Sequence, residues 1–365
     1  MIIAAPYAWA QSTFETPAPH AIIIDHDSGI ILYEKDARSA IPPSSMTKIM
    51  TADIVFEQLK SGRLALTDTF KVSQRAFDRK GSSMFLRLGS KVSVENLLRG
   101  VIIQSGNDAS ITLAEGIGGT EEQFAEMMTS RAKALGLNSA NFKNSTGWPH
   151  PEHKISTYDL AKLARHSIKA YPDFYPLYAE REFTWDGVSQ SNRNPILGAV
   201  EGADGLKTGH TEVAGYGLVG TAIRDGQRRI IVINGLESKS SRSDTARSLM
   251  NAAFTGFDII PIRKKNDNVA EFDVYLGKQK TVQAIIPYDI NIGVAKTDVD
   301  NVTVEMTHAK EIVAPIEQGQ EIGKLTIRAP GQTSQTVPLL AAESVSAKGG
   351  ISRALSVLSR KIKGE

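Results

Sequence analysis

Two consecutive prolines, Pro42 and Pro43, stand ahead of a run that is apolar over most of its length: Met46, Ile49, Met50, Ala52, Ile54, Val55 and Phe56. Proline fixes φ and lacks an N–H, so no helix runs through this pair from upstream, yet one can start just behind it. A helix apolar on most sides has to be buried. The first part of the chain is therefore expected to wrap around a helix that starts after Pro43 and fades near Lys60-Ser61-Gly62. Its first turn carries Ser45 and Lys48, three residues apart and so on one face. A hydroxyl and an amine placed together inside a core form a nucleophile and its base. Serine needs a neighbour to take its proton, and a lysine does so only when burial or a second cation depresses its pKa. Taken alone, the pair also fits a helix-capping serine and a lysine reaching out to solvent.

Two later stretches bear on that choice. Ser105-Gly106-Asn107 follows the apolar run Leu97–Ile103 and precedes a second helical pattern from Asp108 to Glu115, so it reads as a polar loop between buried helices. Lys207-Thr208-Gly209-His210 follows the turn pair Asp204-Gly205 and is expected to open a strand. Each has an ordinary reading, an interhelical loop and a strand with a solvated lysine. Ser-x-x-Lys, Ser-x-Asn and Lys-Thr-Gly together, in this order and on helix, loop and strand, form the motif set of penicillin-binding proteins and class A β-lactamases.

The wording around the motifs narrows the likeness. Gly100-Val101-Ile102-Ile103-Gln104-Ser105-Gly106-Asn107-Asp108-Ala109 and Asp204-Gly205-Leu206-Lys207-Thr208-Gly209-His210-Thr211 resemble the serine-type D-alanyl-D-alanine carboxypeptidases, the low-molecular-mass class C penicillin-binding proteins. The resemblance runs from about Ala21 to the C-terminal tail. It implies a peptidoglycan stem peptide ending in D-Ala-D-Ala as substrate, penicillins and other β-lactams as covalent inhibitors, and no cofactor or metal. Lys48, kept neutral by burial and by Lys207, is expected to deprotonate Ser45 as it attacks the penultimate D-Ala carbonyl. Backbone N–H groups of Ser45 and His210 are expected to hold the oxyanion, since preorganised donors are usually the largest catalytic contribution. Ser105 is expected to relay the proton to the leaving D-Ala, and Asn107 to hold the substrate amide and orient Lys48. The Lys207-Thr208-Gly209 segment is expected to bind substrate, with Lys207 and Thr208 at the terminal carboxylate. Arg242 is expected to assist there, because a guanidinium suits a carboxylate, and Arg193 to brace the Ser105 loop. The His210 side chain invites a Ser-His-Asp reading, but triad geometry is not encoded by sequence order; its backbone is the expected contributor.

Length and pattern divide the chain. At 365 residues two domains are the better expectation. Ala21–Ile24 and Ile30–Tyr33 flank a turn rich in Asp and Gly, a hairpin signal. Tyr216–Ala222 and Arg229–Ile233 join through Asp225-Gly226 in another. Helical periodicity dominates Ser93–Leu137, Ser156-Thr157-Tyr158-Asp159 fits a capping box, and Ser243–Phe254 reads as a closing helix. The first domain is thus α+β: an antiparallel sheet from both ends of residues 12–260, with a helical insertion between. From 261 to 345, Phe272-Val274-Leu276, Val302-Val304-Met306 and Leu325-Ile327 alternate with period two between turns, which predicts a small all-β sandwich.

The ends complete the reading. Residues 1–11 read as a signal-peptide remnant with Ala8-Trp9-Ala10 in small-x-small form, or equally as a disordered start. In residues 346–365, Ile351, Leu355, Leu358 and Ile362 share one face, while Arg353, Arg360, Lys361 and Lys363 lie mostly elsewhere. That is the pattern of an amphipathic helix lying on anionic lipid, or of one docked on the protein's own surface. With the resemblance, it implies an exported enzyme held peripherally at the periplasmic face of the cytoplasmic membrane. A net charge of +2 gives no reason for a nucleic-acid partner, and the absence of cysteine excludes disulfides and thiolate chemistry. His150 and His153 sit in a Pro-flanked loop without an evident third ligand, so no metal site is expected. Two alternatives stay open: a β-lactamase, which needs a glutamate-held deacylating water that no residue here identifies, and a non-catalytic wall-binding scaffold.

Overall fold

The computed structural model describes residues 14–309, 311–352 and 354. The chain forms two compact units, Phe14–Phe257 and a second from Asp258 onward. In the first, β1 (His20–Asp25) and β2 (Ile31–Lys35) form the expected hairpin. A 3₁₀ turn, Ser44–Thr47, then leads into α1 (Lys48–Lys60). The insertion continues through β3 (Thr69–Lys71), α2 (Gln74–Asp78), β4 (Lys91–Ser93), α3 (Val94–Ile102), α4 (Asn107–Gly118), α5 (Glu121–Ala134) and α6 (Thr157–Ala170). A small hairpin, β5 (Glu182–Trp185) and β6 (Val188–Ser191), closes it. β7 (Ala203–Thr211), β8 (Gly215–Arg224), β9 (Gln227–Leu236) and α7 (Lys239–Thr255) complete the unit.

The five long strands form one antiparallel sheet in the order β2-β1-β9-β8-β7. β1 lies between β2 and β9, so the first strand of the unit is zipped to one made some 200 residues later, and the insertion is held from both ends. Successive strand side chains face opposite ways. Ile22, Ile24, Ile230 and Val232 join one core with α1, α3, α4, α5 and α6, while α7 packs on β8 and β9. β7 is an edge strand, which leaves one row of its backbone groups unpaired within the sheet.

At the 3₁₀ turn, α1 and β7 three details differ from expectation. Ser45 lies in the 3₁₀ turn and α1 begins only at Lys48. The chain leaves Pro42-Pro43 through a left-handed Ser44 (φ 50°) and tightens before it can adopt α geometry. This brings the pair closer, because side chains at i and i+3 eclipse in a 3₁₀ turn. The apolar reading of this segment also passes over Asp53, which is fully buried in the middle of α1. On the far side, Lys207 lies in the middle of β7, which already starts at Ala203.

The second unit holds β10 (Phe257–Arg263), β11 (Asn268–Tyr275), β12 (Thr281–Ile285), β13 (Ile290–Ala295), β14 (Thr303–His308), β15 (Ile312–Val313), β16 (Glu321–Arg328) and β17 (Gln335–Ala341). A six-stranded sheet, β14-β16-β17-β12-β11-β15, and the pair β10-β13 share one core built from Phe272, Val282, Ile292, Leu325, Ile327 and Leu339 among others. Val304 and Met306 are an exception to the expected alternation. They lie on the edge strand β14, beyond the reach of the core, and are 40% and 43% exposed. Pairing runs past residue 345, with Ala347 bridging to Gly277. Residues 1–11 and most of the amphipathic tail, including Leu355, Leu358 and Ile362, lie outside the described residues.

Candidate active site

The site lies where the 3₁₀ turn, the α3–α4 loop and β7 meet. Gly209 allows that meeting: a Cβ there would stand 2.8 Å from the Pro43 carbonyl and 3.1 Å from Ser44 Cβ. Only glycine lets β7 run this close to the 3₁₀ turn, and Ser44 Oγ lies 3.1 Å from Thr211 Oγ1 across the junction. Ser45, Ser105, Thr208, Gly209, His210 and Arg242 line a cleft of about 420 Å³ that also takes in Ser82, Asn192, Arg193, Tyr216 and Lys239.

Lys48 is 1% exposed. Its Nζ lies 3.1 Å from Ser45 Oγ, and it donates to Asn107 Oδ1 at 2.8 Å and to the Thr146 carbonyl at 2.7 Å. Burial drives its pKa down to about 7, with Arg193 adding to the fall and Asp108 and Glu121 opposing it. The second cation acting on Lys48 is thus Arg193, where the sequence pointed to Lys207. Lys207 is itself 2% exposed and donates to Ser105 Oγ at 2.9 Å and to the Thr208 carbonyl at 3.2 Å. Burial, then Lys48, Arg193 and Arg242, hold its pKa well below the usual lysine range. Burial disfavours the charged form of an amine, and nearby cations add to that.

Ser105 occupies the left-handed region (φ 60°) and is buried, pointing its hydroxyl at Lys207. Asn107 opens α4, where its Nδ2 donates to the Lys80 carbonyl at 2.9 Å. The Lys80–Met84 loop therefore borders the site. Asp108 ties the same loop down: its carboxylate accepts from Met84 N, Leu86 N and Ser83 Oγ at 2.6–3.1 Å. Arg193 donates to Ser82 Oγ of this loop, so it braces the Lys80–Met84 segment where bracing of the Ser105 loop was expected.

Arg242 is 5% exposed, its guanidinium 5.5 Å over the Tyr216 ring, and its buried Nε finds no hydrogen-bond partner among the described residues. A buried cation without a carboxylate in a cleft is suited to an incoming anion. The His210 imidazole stacks on Tyr216, with ring centroids 3.8 Å apart.

Several residues at the site carried no signal in the sequence. The Thr146 carbonyl is a backbone group, invisible to a motif. It is placed by Asn144, whose Oδ1 accepts from the N–H groups of Thr146, Gly147 and Trp148 at 2.8–3.2 Å. His153 accepts the Lys143 N–H at Nδ1, so Nε2 carries the proton and donates to Thr47 Oγ1 at 2.9 Å. Burial takes its pKa down to about 4, which keeps it neutral. Among the described residues no cluster of His, Asp and Glu is placed to hold a metal ion. A second cavity, about 340 Å³, lies between β14, β15 and β16 and is lined by Thr307, His308 and Lys324 among others.

Comparison with known proteins follows the same lines. The D-alanyl-D-alanine carboxypeptidase family matches residues 7–238, and the C-terminal domain of penicillin-binding protein 5 matches residues 257–347. The D-alanyl-D-alanine carboxypeptidase DacF of Bacillus subtilis (strain 168) is 34% identical, covering 95% of this chain and 92% of that protein. The crystal structure of the D-alanyl-D-alanine carboxypeptidase DacD from Francisella tularensis superposes with a TM-score of 0.77 at 30% identity, covering 95% of this chain and 97% of that one. Penicillin-binding protein D2 from Listeria monocytogenes, solved in the ampicillin-bound form, gives a TM-score of 0.62 at 28% identity over 67% of this chain and all of its own.

Proposed function

The chain belongs to the family of D-alanyl-D-alanine carboxypeptidases, and from that premise we propose that Ser45 is the acylated nucleophile, Lys48 its base, and the terminal D-Ala of a peptidoglycan stem pentapeptide the group released. The observation that carries this reading is the Lys48 amine, buried and held on three sides. Its Asn107 and Thr146 partners are acceptors only at the contacting atoms, so they take two N–H bonds of a neutral amine. The lone pair is left for the Ser45 hydroxyl 3.1 Å away. A base with a pKa of about 7 is matched to neutral pH. As Ser45 Oγ attacks the penultimate D-Ala carbonyl, its proton passes to Lys48. Negative charge then grows on the carbonyl oxygen, where the backbone N–H groups of Ser45 and His210 are the proposed donors.

The leaving D-Ala nitrogen needs a proton, and the Lys207–Ser105 hydrogen bond offers a route for it. Arg242, with Thr208 beside it, suits the terminal carboxylate. The stacked His210 ring supports a backbone role for that residue. Water then hydrolyses the Ser45 ester and leaves a tetrapeptide stem. A β-lactam carries its own acylating carbonyl and would be attacked by the same hydroxyl.

We further propose that the enzyme works outside the cytoplasmic membrane, where stem peptides are found, with the basic amphipathic segment Ile351–Lys363 resting on anionic lipid. Among the described residues no helix is long and apolar enough to cross a membrane. Co-sedimentation with anionic vesicles tests this placement.

Incubation with benzylpenicillin followed by peptide mass spectrometry tests the chemistry. The expected result is a lasting adduct on Ser45, with D-Ala released from a D-Ala-D-Ala peptide by the native chain. Ser45→Ala should lower that release by about a thousandfold or more. Fast turnover of the penicillin, or D-Ala release undiminished by Ser45→Ala, would sink the reading.

A further inference from the structure

Behind the Thr146 carbonyl stands a buried carboxylate that the acylation chemistry does not touch. Glu121 opens α5 and is 1% exposed. Its Oε1 accepts from Ser145 N at 3.1 Å and from Ser145 Oγ at 2.9 Å. Ser145 and Thr146 are in turn the two residues that meet α1: the Ser145 carbonyl accepts from Thr51 Oγ1 and the Thr146 carbonyl from Lys48 Nζ, both at 2.7 Å. On its other side, Glu121 Oε2 pairs with Arg75 Nη2 at 2.7 Å and lies 3.7 Å from Arg79 Nη2. Arg75 is 42% exposed and also pairs with Glu122. A buried anion therefore sits one peptide unit behind the carbonyl that holds the amine, with a partly exposed guanidinium on its outer face.

We propose that Glu121 is a positioning residue of the acylation step: through Ser145 it sets the Thr146 carbonyl against Lys48, and together with Arg75 it sets the charge that the amine meets from that side. The inference rests on Lys48 being the base. Charges face Lys48 from each element around it. Asp108 on α4 and Glu121 on α5 favour its ammonium form, while Arg193, after β6, opposes it. Lys207 on β7 has its own charge suppressed by burial, and His153 is neutral. Asp108 is a poor lever, because its carboxylate also fastens the Ser83–Leu86 backbone. Glu121 differs in that its outer partner is reachable from solvent, so its field can be altered from outside the core.

The signs follow from charge alone. Acylation needs a neutral Lys48, so its rate rises with pH through the Lys48 pKa. Glu121→Gln keeps an acceptor for Ser145 but removes a negative charge, which destabilises the ammonium and moves the rise to lower pH. Arg75→Gln removes the positive charge that offsets Glu121, which moves it to higher pH. The measurement is the pH dependence of acylation by a fluorescent penicillin, on the full chain. We expect displacements of about half a pH unit in opposite directions, a roughly threefold change at about pH 6 relative to each variant's own plateau. A purely structural role would lower the plateau in both variants and leave the midpoint where it is; that result, or two shifts of the same sign, overturns the proposal. Should Glu121→Gln fail to fold, the Arg75→Gln shift alone decides it, upward in support or unmoved against. Lys48→Ala separates the two readings: wild-type acylation by that variant removes Lys48 as base and this inference with it. A dead Lys48→Ala with unmoved midpoints removes only the role given to Glu121.

Discussion

Lys48 is buried deeply enough to depress its pKa and yet finds partners for its hydrogens, and the residues around it show what that demands of the backbone. Ser44 and Ser105, on either side of the amine's surroundings, both adopt left-handed φ values, 50° and 60°. Such conformations cost on the order of 1–3 kcal/mol each for a residue with a Cβ, and they persist only where the surroundings enforce them. Gly147 is the third such point, at φ 82°, and here no side chain fits: a Cβ would fall 1.8 Å from the Ser44 carbonyl oxygen and 2.9 Å from Thr47 Oγ1. Gly147→Ala should therefore push the 144–148 loop off the Ser44–Thr47 turn. A loss of about 2–4 kcal/mol in unfolding free energy is expected, with penicillin acylation slowed about tenfold or more by misplacement of Ser45. Denaturant unfolding and acylation rates measured on the same preparation check this. Native stability in that variant would mean the loop and turn are not in contact.

At the scale of helices and strands, most of the site's frame could be read from the residues. The apolar run after Pro43, the polar break at Ser105-Gly106-Asn107 and the cap at Ser156 all mark elements that are found. These are local signals, each the business of one turn or one helical face. What escaped depends on partners distant in sequence. Asp53 illustrates it: an acid inside an apolar helix has no local reason to be there. Its Oδ1 accepts from Arg131 Nε at 3.1 Å, its Oδ2 from Ser167 Oγ at 3.1 Å, and His166 Nε2 lies 3.5 Å away. The carboxylate thus ties α1 to α5 and α6. Removing one partner of a buried pair leaves an uncompensated charge, at about 3–5 kcal/mol. Arg131→Met should show that loss at pH 8 and a smaller one at pH 5. The sign follows from burial, which already raises the Asp53 pKa above its unfolded value against the pull of His166 and Arg131. A group with a raised folded pKa binds its proton more readily when folded, so stability falls as pH rises. Acid neutralises Asp53 and so removes the charge that Arg131 compensates. Chemical denaturation at the two pH values is the measurement, and an equal loss at both would contradict this account of Asp53.

For the whole molecule, the cleft and the basic amphipathic segment fall in different stretches of chain. Every side chain that touches the Lys48 amine or lines the cleft falls between Ser45 and Arg242. All of them belong to the unit Phe14–Phe257, whose core is built without any residue of the second unit. Its last residue, Phe257, is fastened within it by ring contacts to Phe14 and Tyr33 at 5.1 and 6.2 Å. The second unit has its own apolar core, and no residue lining the cleft belongs to it. The basic amphipathic segment follows the residues of that core in sequence, from Ile351 on. A chain cut to residues 14–257 should then fold cooperatively and take up fluorescent penicillin within about threefold of the full chain's rate, since no group at the site has been removed. Vesicles containing anionic lipid should sediment the full chain and leave the shortened one in solution, and raising the salt should weaken that binding as the lysines and arginines are screened. If the shortened chain fails to acylate although circular dichroism shows it folded, the second unit contributes to the chemistry. If both chains sediment equally, the lipid contact lies within Phe14–Phe257 and the tail has another role.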